Sequence, residues 1–272
     1  MRTLYVSDLD GTLLRSDQSL SPYTSGVINR LVEEGMLFSY ATARSLITAF
    51  KVTKGLRAKI PRIVYNGAFT VSSTDGMLLL SNFFPPSAEA LLRDLLACDI
   101  WPIVYAFRGG KERFFYVEEK CTPGLKEFIE SRVGDPRATP VQTAEELFGE
   151  GIFYFTCIDE PEKLRPLFEK YRNKYRCLLQ KDVYTDTTWL EIMPAAASKS
   201  GAALQLKEYL HCDRLVVFGD GLNDEDLFRA ADACYAVENA VPELKAIATG
   251  VIAGNNEDGV AKWLEENFRP DQ

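Results

Sequence analysis

Short apolar runs alternate with amphipathic stretches at both ends of the chain, and a different rhythm fills its middle. Residues 4–8 read as a buried strand that ends on an acid. Ser21-Pro22, an N-cap followed by Pro at the first helical position, opens a helix to residue 34 that Gly35 closes. A second strand at 36–40 runs into Ala41-Thr42-Ala43-Arg44-Ser45 and a helix to about residue 54, and a third strand at 63–65 ends at Asn66-Gly67-Ala68. Strands separated by helices pair in parallel with right-handed crossovers. The same pattern returns late, as a helix at 199–210, a strand at 214–218, a helix at 224–231, a strand at 234–237, and helices at 241–248 and 259–268.

Between these halves the strands come in pairs. Residues 69–73 and 77–81 flank the turn signal Thr74-Asp75-Gly76, which predicts a hairpin. Pro85-Pro86 marks a break. Beyond it we expect a helix at 87–98, strands on either side of Gly109-Gly110, a helix at 123–131, a strand at 152–158, a helix at 161–175, and strands at 176–180 and 189–193. The fold class expected is therefore α/β: a discontinuous parallel-sheet core at 1–84 and 191–272, interrupted by an α+β module at 85–190. No internal repeat or low-complexity tract is visible.

Composition narrows the function classes. With 272 residues and 46% apolar content, and no apolar run long enough to span a bilayer, the chain reads as globular with a large core. A net charge of −8 argues against nucleic acid or an anionic membrane as a main partner, so binding an anionic substrate requires locally concentrated positive charge. Six cysteines without a C-x-x-C pair, behind a start that carries no signal-peptide pattern, read as reduced thiols in a cytoplasmic protein. His211 is the single histidine and reads as a helix-closing residue. The chemistry must then run on carboxylates, Lys, Arg and hydroxyls.

In an open parallel sheet the site lies beyond the carboxyl ends of the strands. The first strand delivers Asp8-Leu9-Asp10-Gly11-Thr12, the second Thr42, and a later one Gly219-Asp220-Gly221-Leu222-Asn223-Asp224, while Lys199 opens the preceding helix. So many carboxylates cannot ionise together without a cation. A hard divalent ion with oxygen ligands, Mg²⁺ by preference, meets that need. Its ligands are expected to be Asp8, Asp220 and the backbone carbonyl of Asp10, with Asp224 in the same shell or one water away. Asp8 is then placed to attack phosphorus, and Asp10 to give a proton to the leaving alkoxide and later take one from water. Gly11 permits a close turn, Thr12 is expected to hydrogen-bond the phosphate, Thr42 and Lys199 to hold its oxygens, and Asn223 to add an amide hydrogen bond.

Taken together, Asp8-Leu9-Asp10-Gly11-Thr12, Thr42-x-Arg44, Lys199 and Gly219-Asp220-Gly221-x-Asn223-Asp224 resemble the four motifs of the haloacid dehalogenase-like phosphatases, most closely the Cof-type subfamily with a large α/β cap (type IIB). Asn66-Gly67-Ala68, the stretch 237–245 and residues 256–261 add to the likeness. The resemblance implies a Rossmann-like core, a mobile cap that closes over the substrate, Asp8 as nucleophile, Asp10 as acid/base, Thr42 and Lys199 as phosphate ligands, and Asp8, Asp10 and Asp220 as the Mg²⁺ set. Two positions depart from the family pattern: Ala43 stands where Gly is usual, and Ser200 follows the lysine where Gly is usual. Ala43 is expected to carry a conformational cost if its N–H must reach phosphate from an unusual backbone geometry.

The function expected is Mg²⁺-dependent hydrolysis of small organic phosphate monoesters, such as sugar phosphates, nucleotides or flavin mononucleotide, by a monomer or weak homodimer. A phosphomutase or phosphotransferase would share the chemistry. A phospho-Asp signalling protein would lack the second acid and the insert, and a binding protein without catalysis would not need the full set. Arg108, Phe114, Tyr116, Asp182, Tyr184, Trp189 and Glu191 are candidates to line a substrate pocket, against the plainer reading of strand aromatics as core. Glu225 and Asp226 read as first-turn helix residues.

Overall fold

The computed structural model describes residues 1–57, 59, 61–72, 78–181 and 187–270, so the expected turn at Thr74-Asp75-Gly76 and the candidates Asp182 and Tyr184 lie outside the described residues. The chain divides into two compact units, Met1–Ser81 with Ala197–Gln272, and Asn82–Ala196. The return expected at 190–191 falls inside the strand Thr188–Met193, which belongs wholly to the second unit.

In the first unit five strands form one parallel sheet in the order Gly250–Ile252, Ala233–Val237, Arg214–Gly219, Thr3–Ser7, Leu37–Tyr40. Its central strands read as near-continuous apolar runs, as parallel strands buried on both faces do: Leu4, Val6, Leu215, Val217 and Phe218 have no exposed surface. Helix Pro22–Glu33 starts as expected, with the Ser21 hydroxyl accepting the Thr24 N–H at 2.9 Å. It packs on Gly259–Asn267, while Lys199–Tyr209 packs on Glu225–Ala230. Glu225 and Asp226 occupy the first turn of that last helix. His211 follows Lys199–Tyr209 with a left-handed φ of 52°.

The third expected strand behaves differently. Arg62–Val64 touches the parallel sheet through a single bridge, Ala41 to Ile63, and otherwise pairs antiparallel with Phe69–Val71, which pairs with Leu78–Ser81. The chain reverses over Tyr65, Asn66 and Gly67, whose φ values are 51°, 50° and 91°. A Cβ on Gly67 would lie 2.1 Å from the Ser198 carbonyl oxygen, so glycine is needed for the backbone to pass beneath the start of the Lys199 helix.

The second unit holds a six-stranded sheet in the order Arg176–Lys181, Thr188–Met193, Ile152–Asp159, Ile103–Arg108, Lys111–Val117, Ala138–Val141. Neighbours are antiparallel except the last pair. Helices Glu89–Ala97 and Pro161–Tyr171 contribute Leu91, Leu92, Leu95, Leu164 and Leu167 to its core. Arg137 is buried there between Asp135, at 2.6 Å, and Glu112. The Arg137 hydrogen bonds hold the Asp135 carboxyl below its ordinary value of 3.8. A depressed carboxyl contributes stability that is present above the ordinary value and is lost as pH falls through the folded value. Asp135→Asn is therefore expected to melt earlier than wild type at pH 7, with the gap closing as pH falls below about 4. Melting curves from pH 7 to pH 3 check this, and a gap of constant size would remove Asp135 from the acid transition.

Candidate active site

Acid-bearing loops converge at the carboxyl edge of the first unit's parallel sheet. Asp8 follows the strand Thr3–Ser7, and its N–H donates to the Phe218 carbonyl at 2.9 Å. The chain then turns through Gly11 at φ 75°, where a Cβ would stand 2.3 Å from Oδ2 of Asp220. Only glycine allows that approach. The buried Thr12 hydroxyl donates to Oδ1 of Asp220 at 2.7 Å. Thr12, expected to hold phosphate, is thus engaged in joining the two acidic loops.

Lys199 is the first residue of its helix, which Ser198 caps by accepting the Gly201 N–H at 2.9 Å. Its Nζ lies 2.8 Å from Oδ1 of Asp8 and donates to Oδ1 of Asp224 at 2.7 Å, and Lys199 is only 3% exposed. The second oxygen of the fully buried Asp224 accepts the N–H groups of Asp220 at 3.1 Å and Gly221 at 3.2 Å. Both Asp224 oxygens are therefore already engaged. Asp8, Asp220 and Asp224 each offer an oxygen within 4.8 Å of the others.

One ammonium cannot neutralise three carboxylates. Burial and then the Asp224 charge push the Asp8 carboxyl well above its ordinary value in spite of Lys199. Burial, offset in part by the Thr12 hydrogen bond, pushes Asp220 up to about 6. Burial opposes the Lys199 charge, yet Asp224 and Asp8 outweigh it and hold the ammonium above the ordinary lysine value. The donor set suits a hard divalent cation, which would relieve this excess of negative charge.

Asp10 has a different setting although it is two residues from Asp8. Its side chain is 49% exposed and faces Arg44, whose Nε donates to Oδ2 at 2.8 Å and whose Nη2 donates to Oδ1 at 2.5 Å. Arg44 also donates to Gln18 Oε1 at 2.9 Å. The buried Thr42 hydroxyl accepts the Arg44 N–H at 3.1 Å, while Ser45 caps the helix Leu46–Val52. Ala43 is exposed, and it is absent from the described non-glycine positions with positive φ, namely Gln18, Tyr65, Asn66, Asp99, His211 and Asp258. Its backbone therefore has no left-handed φ that would disfavour a Cβ. Asn223 is exposed and leans over Gly221, where a Cβ would sit 2.5 Å from its Oδ1.

Thus Asp8, Thr12, Lys199, Asp220 and Asp224 form one connected cluster, with Asp10 beside Arg44 and with Ala43 and Asn223 on exposed loop positions. Among the contacts that escaped the sequence reading, Asn239 Nδ2 donates to the Gly11 carbonyl at 2.7 Å. Its only signal was membership of the stretch 237–245. In the second unit Arg108 is spent on the carbonyls of Glu146, Leu147, Phe148 and Glu150. Phe114 stacks with Tyr116, and Trp189 packs edge-on against Phe128.

A protein-family model described as haloacid dehalogenase-like hydrolase matches residues 5–264. The chain belongs to that family. Among its relatives are a 5-amino-6-(5-phospho-D-ribitylamino)uracil phosphatase of Bacillus subtilis, 26% identical over 95% of this chain and 96% of the relative, and an HMP-PP phosphatase of Serratia proteamaculans, 24% identical over 99% and 96%. A solved structure of a Thermotoga maritima protein superposes with a TM-score of 0.81 at 26% identity, covering 99% of this chain and 98% of that one. As a haloacid dehalogenase-like hydrolase, the chain is an enzyme of the phosphoric monoester hydrolase class. Among the described residues no helix is long and apolar enough to cross a membrane.

Proposed function

We propose that this haloacid dehalogenase-like enzyme hydrolyses small organic phosphate monoesters in a Mg²⁺-dependent reaction, through an aspartyl phosphate on Asp8. The observation that carries the reading is the separation of two acids in one loop. Asp8 is buried against Lys199 among other carboxylates, whereas Asp10 is half exposed beside Arg44. Relatives named for phosphatases of a ribitylaminouracil phosphate and of HMP-PP support a small phosphorylated metabolite as substrate.

Asp8 and Asp220 would hold the cation with the Asp10 carbonyl, and Asp224, its oxygens engaged, would brace Lys199 and the Asp220 loop. When bound, the ion would screen the substrate's negative charge from Asp8 and stabilise charge developing on the phosphoryl oxygens. An Asp8 oxygen attacks phosphorus as the bond from phosphorus to the alkoxide breaks, and Asp10, once it has left Arg44 and taken up a proton, gives that proton to the alkoxide. Water then attacks phosphorus while Asp10 takes back a proton, and the bond to Asp8 breaks to release inorganic phosphate. Thr42 and Lys199 hold the phosphoryl group from segments other than the nucleophile loop.

Release of inorganic phosphate from a panel of metabolite monoesters, with Mg²⁺ and with excess chelator, tests the reading. Turnover of at least one monoester is expected with Mg²⁺ and its loss is expected on chelation. The cation should also raise the melting temperature, because it binds the folded state. No turnover on any monoester, or turnover indifferent to chelation, would overturn it.

A further inference from the structure

The loop that carries both proposed acids is held from outside by a side chain that neither attacks phosphorus nor carries a proton. Asn239 follows the strand Ala233–Val237 at the same sheet edge. Its Nδ2 donates to the Gly11 carbonyl at 2.7 Å, and its Oδ1 accepts the Asn255 N–H at 3.0 Å. These partners fix which way the amide faces, because a flip would set donor against donor and acceptor against acceptor. Asn255, itself buried, donates through Nδ2 to the Leu14 carbonyl at 2.9 Å. Two residues beyond Asn239, the Val241 N–H donates to the Asp220 carbonyl at 2.9 Å. The segment 239–241 therefore grips the backbones of both acidic loops, which Thr12 also joins through Asp220.

We infer that Asn239 is a positioning residue for the proton carrier Asp10, acting by fixing the peptide between Gly11 and Thr12. The inference rests on the roles proposed above for Asp8 and Asp10. Gly11 has no side chain to define the turn, so its direction depends on bonds made from elsewhere. Freeing that peptide loosens the turn at Gly11, the residue next to Asp10, and a displacement of about 1 Å at a reacting group can cost roughly 100-fold in rate. Asn239 is exposed, so its replacement removes no core packing. Thr42 and Lys199 stand on other segments, so substrate binding should be largely unaffected.

The test compares wild type with Asn239→Asp and Asn239→Ala on the best substrate from the monoester panel. Asn239→Asp keeps an acceptor for Asn255 but turns an oxygen towards the Gly11 carbonyl; Asn239→Ala removes both bonds. The expected result is a kcat lower by about 10- to 100-fold with KM within about twofold. Mg²⁺ affinity by calorimetry should stay within about threefold, because the charged ligands, the Asp8 and Asp220 carboxylates, are not held by Asn239, and the melting temperature should stay within a few degrees of wild type. The inference is overturned if either folded variant keeps kcat within about twofold, or if kcat falls only in step with KM, Mg²⁺ affinity or thermal stability. Asp8→Asn in the same assay separates the two levels. An active Asp8→Asn removes the nucleophile assignment, whereas active Asn239 variants beside an inactive Asp8→Asn remove only the role of Asn239.

Discussion

Asp8→Asn is expected to lose turnover by about 10⁴-fold or more and yet to melt no earlier than wild type in excess chelator. An amide has no oxygen nucleophilic enough to form the acyl phosphate. Its effect on stability runs the other way. Asp8 is buried, and burial followed by the Asp224 charge already disfavours its ionised form. An amide of the same shape removes one of three crowded negative charges, and its oxygen can still accept from Lys199. The gain should be about 1 kcal/mol, or roughly 2–4 °C in melting temperature for a chain of this size. Added Mg²⁺ should reverse the order by stabilising wild type alone. Thermal melts with chelator and with Mg²⁺, beside a phosphate-release assay, check both halves. A fall of more than about 5 °C in chelator would show that Asp8 contributes net stability, against the electrostatics described above.

Lys199→Met should be the most destabilising single change at the site. Lys199 is 3% exposed and is the cation shared by Asp8 and Asp224, so methionine, of similar length, leaves two buried carboxylates without a counter-charge. Removing one member of a buried ionic cluster costs about 3–5 kcal/mol. The loss should be greater at pH 8 than at pH 5, because acids deprived of their lysine bind protons more readily when folded than when unfolded, and protonation relieves the repulsion. Mg²⁺ should recover part of the stability, while turnover should fall by roughly 10²–10³-fold for want of a charge on the phosphoryl oxygens. Urea unfolding at the two pH values measures this. Equal losses at pH 5 and pH 8 would show that carboxylate charge is not what the lysine offsets.

The parallel core was legible because its strands are short apolar runs and its first helix carries its own start signal at Ser21-Pro22. The acids were legible because each stands directly beyond such a run. What escaped depends on contacts distant in sequence. Ala138–Val141 contains Pro140, which argues against a strand, but it lies on a sheet edge, where a missing N–H costs little. Gly250–Ile252 is a three-residue edge strand with too few residues to show a period. Residues 63–65 read as another parallel strand; Arg62–Val64 keeps one parallel bridge, Ile63 to Ala41, while the left-handed turn at Tyr65-Asn66-Gly67 folds it back on Phe69–Val71. At the site, the Thr12 hydroxyl reads equally well as a phosphate donor or as a partner for Asp220, 208 positions away. Nothing in the spacing of Asp10 and Arg44 announces their pairing.

The strand that delivers Asp8 also sets a timetable for biosynthesis. Thr3–Ser7 takes its place in the sheet beside Arg214–Gly219, a partner translated about two hundred residues later. At roughly 5–20 residues per second, Leu4, Tyr5 and Val6 remain without that neighbour for about 10–40 s. Meanwhile the whole intervening unit, Asn82–Ala196, emerges from the ribosome. The nascent chain thus completes an entire module before Asp8 can meet Lys199 and Asp220, so the acidic cluster cannot assemble until both halves of the first unit have been made.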